Sequence, residues 1–245
     1  MPHASRSPGR AASRRQGDGR DGSQRAFFGR RKGHPLRPRQ SALFDTLLPQ
    51  VALDLTKSPP PDLRTLFADV DDVRLEIGFG AAEHLIAQAQ ANSRSGFIAS
   101  DAFVNAIAKA LVAIDTQGFS NVRLHFGDAS ELLDWLPDAA LARIDLLYPD
   151  PWPKRRHWKR RFIQDETLAR LARILRKGGE LRFATDIADY ATYALVRVLR
   201  SMDFTWTAEC ADDWRKPWSG FSGTRYEAKA KREGRVPAYF IFRKT

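Results

Sequence analysis

Three groups of residues have types and spacings that suit chemistry. Glu76-Ile77-Gly78-Phe79-Gly80 puts a carboxylate and two glycines at the end of a short apolar run. Glycines in that place let backbone approach a ligand at the start of the next helix. Asp101, Asp128 and Asp186 each follow an apolar run of their own, where a carboxylate can accept hydrogen bonds from hydroxyl and amino groups. The third group is Pro149-Asp150-Pro151-Trp152-Pro153, followed by six cations in eight residues with His157 and Trp158 among them. Its prolines stiffen the backbone around one carboxylate and one aromatic ring. The cations attract phosphate, and the rings offer stacking faces for bases.

The sign of the charge discriminates between cofactors. Glu76, Asp101 and Asp128 would repel the two phosphates of a nicotinamide dinucleotide. They suit a sulfonium cation, ribose hydroxyls and an adenine amino group. Ala82 also stands roughly where a dinucleotide site wants its third glycine. S-adenosylmethionine therefore fits better than NAD. The bland alternative for Asp101 and Asp128 is that each caps the helix after it, since Asp is a favoured N-cap.

These residues need elements that bring them together. Apolar runs at 73–77, 96–100, 122–126, 143–148 and 180–184 read as strands, each stopped by glycine, aspartate or proline. Helices are expected over 83–90, from Phe103 through Ile114, through Leu168, Leu171, Ala172 and Leu175, and over 186–201. The third of these should end at Arg176-Lys177-Gly178-Gly179, cations followed by glycine. Runs at 204–209 and 238–242 supply two closing strands. Alternation of this kind predicts an α/β fold, a mostly parallel, doubly wound, seven-stranded Rossmann-like sheet with helices on both faces. Ligands in such sheets sit beyond the C-terminal strand ends, so Gly78, Asp101, Asp128, Asp150 and Asp186 should converge on one cleft.

The chain of 245 residues carries a formal charge of +11. Residues 1–40 hold eleven Lys or Arg against Asp18 and Asp21, so most of the excess lies there. With little to bury, this stretch reads as a disordered basic arm, followed by a lead-in over 41–72 and a catalytic domain over 73–245. No stretch resembles a secretory core or the ~20 apolar residues of a membrane span. Cys210 is the single cysteine, which makes a reducing cytoplasm the simplest home. The five histidines are scattered without metal-ligand spacing. A monomer is the simplest state, with a homodimer left open.

The chain resembles the bacterial tRNA (guanine-N7)-methyltransferase family over roughly residues 73–243. Glu76-Ile77-Gly78-x-Gly80, Pro149-Asp150-Pro151-Trp152 with its Lys/Arg run, Ala184-Thr185-Asp186 and Thr224-x-Tyr226-Glu227 all occur in family order. The glycine motif is common among methyltransferases, but the proline-Asp-Pro-Trp run joined to the late Thr-x-Tyr-Glu is specific. The resemblance implies that Glu76, Gly78, Gly80, Asp101, Asp128 and Asp150 contact S-adenosylmethionine, with Asp150 catalytic. It implies a substrate site of Lys154, Asp186, Thr224, Arg225, Tyr226 and Glu227. Arg156, His157, Trp158, Lys159, Arg160 and Arg161 would touch RNA, and the target would be the variable-loop guanosine 46 of tRNA. Two positions depart from the family pattern: Ala82 replaces a glycine, and Ser100-Asp101 replace a glycine and a glutamate.

Three other readings make different demands. An NAD(P)-dependent dehydrogenase would be protected against unfolding by nicotinamide cofactor. An amino-directed nucleic-acid methyltransferase would pair its Asp, Asn or Ser with two successive prolines, which Asp150-Pro151-Trp152 lacks. A non-catalytic RNA-binding module would not need the acidic residues of the pocket.

Overall fold

The structure is a computed structural model that describes residues 31–245. Most of the basic arm expected over 1–40 lies outside the described residues. Seven strands, β1 (Asp72–Ile77), β2 (Ser95–Asp101), β3 (Val122–Phe126), β4 (Leu141–Leu147), β5 (Leu175–Thr185), β6 (Phe204–Trp206) and β7 (Ala238–Lys244), form one sheet. Their order is β3-β2-β1-β4-β5-β7-β6. The first five run parallel, and β7 lies antiparallel between β5 and β6. Strand order reverses between β1 and β4, the crevice where open α/β sheets bind ligands.

Side-chain alternation divides the core between the two faces. Val73, Leu75 and Ile77 of β1 join Ile144 and Leu146 of β4 under α5 (Ala129–Trp135), α6 (Asp165–Ile174) and α7 (Ala188–Arg200). Phe97 and Ala99 of β2 pack on the other face with α3 (Glu83–Ala91) and α4 (Val104–Gln117). In α4, Ala106, Ile107, Ala110, Leu111 and Ile114 are all buried, the stripe that its apolar spacing predicts. Gly118 ends that helix in the left-handed region, its N–H donating to Ile114 O.

The lead-in is more ordered than its composition suggests. It forms α1 (Pro38–Thr46) and α2 (Leu48–Val51), with Leu43 and Val51 buried among the residues of α4 and β3. Within the stretch assigned to the arm, residues 31–40 dock on the start of α4. Val104 N donates to Arg31 O, Gly33 N to Asn105 Oδ1 and Asn105 Nδ2 to His34 O, at 2.9–3.0 Å. A Cβ at Gly33 would come within 2.5 Å of Asn105 Oδ1 and 2.8 Å of the Phe103 ring, so any side chain there would push these two aside.

Two boundaries differ from the sequence expectation. Helix α6 stops at Ile174, and Leu175 with Arg176-Lys177-Gly178-Gly179 begins β5. Leu141 pairs with Leu175 and Arg143 with Glu180, so the cations and glycines form an irregularity in the strand rather than a helix C-terminus. Gly178 takes φ +73 there. The chemistry that ends a helix also suits a bulge. The strand expected over 204–209 closes at Trp206, because Glu209 and Cys210 turn to donate their N–H groups to Asp213.

Candidate active site

At the C-terminal ends of β1 to β4 the structure has a cavity of about 520 Å³. Its glycine side contains Ile77, Gly78, Gly80, Asp101, Phe103 and Asp128. Its other side contains Asp150, Trp152, Lys159, Arg160, Arg225 and Tyr226. The predicted convergence of strand ends is therefore met by Gly78, Asp101, Asp128 and Asp150. Local backbone is unusual around it: Gly78 and Gly80 lie at φ +71 and +58, and Tyr148 and Trp152 at +50 and +41. Non-glycine residues in that region carry strain and gather at ligand sites.

Asp101 fastens the glycine turn to the end of β2. Its Oδ2 accepts from Gly80 N at 2.9 Å and its Oδ1 from Phe103 N at 2.8 Å. Burial pushes its carboxyl above the ordinary range, and the backbone N–H groups pull the other way. Asp128 caps α5 through Ser130 N at 2.9 Å while still lining the cavity. Capping and cavity lining thus coincide, which the alternatives weighed from sequence treated as rivals. Behind Asp128, a Cβ at Gly127 would approach the His125 ring to 2.8 Å, so this turn also needs glycine. The ring of His125 meets Ser100 Oγ at 3.0 Å, and burial pushes its pKa down to about 4.

Asp150 stands at the cavity mouth, where packing of the proline loop raises its carboxyl by desolvation. Arg160 lies over the Trp152 ring at 5.0 Å, and Trp152 meets His157 edge-on at 5.9 Å. Tyr226, 48% exposed at the start of α9 (Arg225–Arg232), reaches across to the glycine turn. A Cβ at Gly80 would touch its ring at 3.6 Å. Thr224 caps α9 by accepting from Glu227 N at 3.1 Å, which fixes where Tyr226 emerges.

Several expected site residues lie elsewhere. Glu76 is 4% exposed and does not line the cavity. In β1, Ile77 faces the cavity, so period-two alternation sends Glu76 to the α3 face, where it meets His84 Nδ1 at 2.9 Å. Burial raises the Glu76 carboxyl, and the neighbouring His84 lowers it. Arg161, expected to touch RNA, borders the cavity but is only 1% exposed. Its guanidinium donates to Pro151 O at 2.7 Å, pairs with Asp189 and packs on Trp158, Tyr190 and Tyr193 at 4.6–4.9 Å. It holds the proline loop instead. Trp158 is likewise engaged with Tyr193, at 5.5 Å. Glu227 is buried, accepting from Tyr239 Oη and Lys231 Nζ at 2.5 Å each. Asp186 pairs with Arg235. Lys154, Arg156, Asp186, Thr224 and Glu227 are absent from the lining, and Lys154 and Arg156 are exposed beside it. Phe103, Ser130 and Phe162 line the cavity without having been picked out as site residues, because isolated apolar and hydroxyl residues carry no spacing signal. Among the described residues no group of His, Cys, Asp or Glu could hold a metal, and no helix is long and apolar enough to cross a membrane.

Known proteins share both the sequence and the shape. Residues 71–239 match a protein-family profile described as "Putative methyltransferase". A tRNA (guanine-N(7)-)-methyltransferase of Bradyrhizobium diazoefficiens is 54% identical over 96% of this chain and 100% of its own. One from Rhodopseudomonas palustris is 57% identical over 90% of this chain and 87% of its own. Among solved structures, the 16S rRNA methyltransferase KamB superposes with a TM-score of 0.55 at 16% identity, covering 77% of this chain and 95% of that one. That likeness shows the fold, a Rossmann-like methyltransferase sheet. On the strength of the close relatives, the chain belongs to the tRNA (guanine-N7)-methyltransferase family.

Proposed function

We propose that the chain transfers a methyl group from S-adenosylmethionine to N7 of a guanosine in tRNA, with variable-loop guanosine 46 as its target. One observation carries this reading. Carboxylates Asp101 and Asp128 beside a glycine turn, and Asp150 with Trp152, Arg160 and Tyr226 opposite, share a single cavity. Its volume of about 520 Å³ is within the ordinary range for small-molecule sites.

The donor set of the glycine side fits the cofactor. Asp101 and Asp128 keep lone pairs for hydroxyl and amino groups, and Gly78 and Gly80 admit close backbone approach. When bound, S-adenosylmethionine supplies an electrophilic methyl group on a sulfonium. Guanine N7 presents an in-plane lone pair, so its attack releases no proton and the protein needs no strong general base. Catalysis is then mainly alignment, for which orientation contributes up to ~7–11 kcal/mol in intramolecular comparisons. Asp150 holds the base edge and stabilises the positive charge that develops on the purine. Trp152 and Tyr226 offer ring faces to a base taken out of its stack. Lys159, Arg160 and Arg225 face phosphate, with Lys154 and Arg156 on the approach.

The test is methyl transfer to unmodified tRNA, followed by nuclease digestion and mass spectrometry. We expect 7-methylguanosine in the variable loop, together with thermal protection of the protein by S-adenosylhomocysteine. Methylation of an exocyclic amino group, or no protection by S-adenosylhomocysteine, would overturn the reading.

A further inference from the structure

Under the α3 face of the sheet is a group of charged and amide side chains that the reaction does not use. Arg143 Nε donates to Asp145 Oδ2 at 2.9 Å, and Arg143 Nη2 to Gln88 Oε1 at 2.8 Å. Gln88 Nε2 in turn donates to Gly220 O at 2.7 Å. Glu76 and His84 lie alongside, and all five side chains are buried. A buried ion pair contributes little net stability compared with apolar packing. What this row contributes is geometry. With an Arg donor on one side and a carbonyl acceptor on the other, Gln88 has one amide orientation that satisfies both.

Gly220 belongs to the loop that ends in Thr224 and α9. It takes φ +77, and Gly223 takes φ +78. Between them Phe221 packs on His84 at 5.5 Å, on Trp218 at 5.1 Å and on Tyr239 at 5.5 Å. Six residues beyond Gly220, Tyr226 arrives beside Gly80. We propose that Gln88, set by Arg143 and Asp145, is a positioning residue that anchors Gly220 and so fixes Tyr226 at the rim of the active-site cavity. The inference rests on the reading that the Tyr226 side receives the nucleic acid.

Gln88→Glu isolates the contact. A carboxylate still accepts from Arg143, but an oxygen then faces Gly220 O where a donor stood. The expected result is a roughly 10- to 100-fold lower kcat/KM for tRNA, the scale for a misplaced contact group. Affinity for S-adenosylhomocysteine should stay within about threefold, since Asp101 holds the glycine turn independently. Trypsin cleavage after Arg215 or Arg225 should become faster. Phe221→Leu, which removes the ring contact with His84 and keeps an apolar side chain, should move the same readouts in the same direction, and it carries the test if Gln88→Glu does not fold. Wild-type kcat/KM with a wild-type cleavage pattern would overturn the proposal, as would equal loss of tRNA turnover and S-adenosylhomocysteine affinity. Were the wild-type protein inactive on tRNA, the functional reading would fall, while the cleavage pattern would still decide whether Gln88 anchors the loop.

Discussion

Two sets of acidic side chains occupy different parts of one sheet, its C-terminal strand ends and the layer under α3, and do different work. Asp101, Asp128 and Asp150 line the cavity, where Asp101 and Asp128 accept from backbone N–H groups rather than pairing with cations. Glu76 and Asp145 sit under α3, paired with His84 and Arg143. The same division separates two adjacent arginines. Both border the cavity, but Arg160 lies over Trp152 while Arg161 is buried among three aromatic rings. A shift of one residue along the chain turns a ligand-facing charge into a framework charge. Residue type and approximate position are therefore weak guides to role, and the face on which a side chain emerges is the stronger one.

The adjacent arginines give the sharpest test of that contrast. Arg161→Leu should lower unfolding free energy by about 3 kcal/mol in urea titrations, because Pro151 O loses its donor and Asp189 its cation. A loss below about 1 kcal/mol would mean that Arg161 is not framework. Next in size, Asp150→Asn should slow single-turnover methyl transfer by roughly 100-fold, the scale of a removed electrostatic stabiliser. Its tRNA affinity should stay within a few fold, and a parallel loss of binding would make Asp150 a binding group only.

His125 supplies a pH test of the framework behind Asp128. Its folded pKa of about 4 lies below its ordinary 6.5, so as pH falls through that interval the unfolded chain takes up the proton first. Stability should decline between pH 6.5 and 4 by roughly 2–3 kcal/mol. His125→Gln should flatten that part of the curve, and an unchanged curve would assign the acid sensitivity to another group. Arg160→Ala should leave thermal stability alone and reduce the salt slope of tRNA binding by about one, worth roughly threefold to fourfold in affinity between 50 and 200 mM salt. If the slope is unchanged, Arg160 does not face phosphate. The smallest effect belongs to Ala82, which begins α3 at φ +66. Glycine there relieves roughly 1 kcal/mol of left-handed strain but deletes a buried methyl group worth about 0.8 kcal/mol. Unfolding free energy of Ala82→Gly should therefore match that of the parent within about 0.5 kcal/mol, and a larger gain would show that the strain dominates.

Much of this was legible from the residues alone. Period-two apolar runs ended by Gly78, Asp101, Asp128 and Pro149 mark strand ends, and alternation with helices makes those ends converge. The α5 segment is only seven residues long, and α1 begins inside a charge-rich stretch, so neither carries a strong periodic signal. The Arg176-Lys177-Gly178-Gly179 run was ambiguous because a helix end and a strand irregularity both use glycine at positive φ.

The sequence by itself determined the fold class, the family and the rigid proline loop, because hydrophobic period, glycine and proline act locally on the backbone. Tertiary structure alone decided which charges face a ligand and which are enclosed by the protein. Glu76 and Arg161 carry the same motif signal as Asp101 and Arg160, but strand alternation sends one under α3 and an aromatic cage encloses the other. That choice depends on partners beyond the motif itself, His84 on the following helix for the first and the distant Asp189, Tyr190 and Tyr193 for the second, which become neighbours only when the sheet and its helices pack.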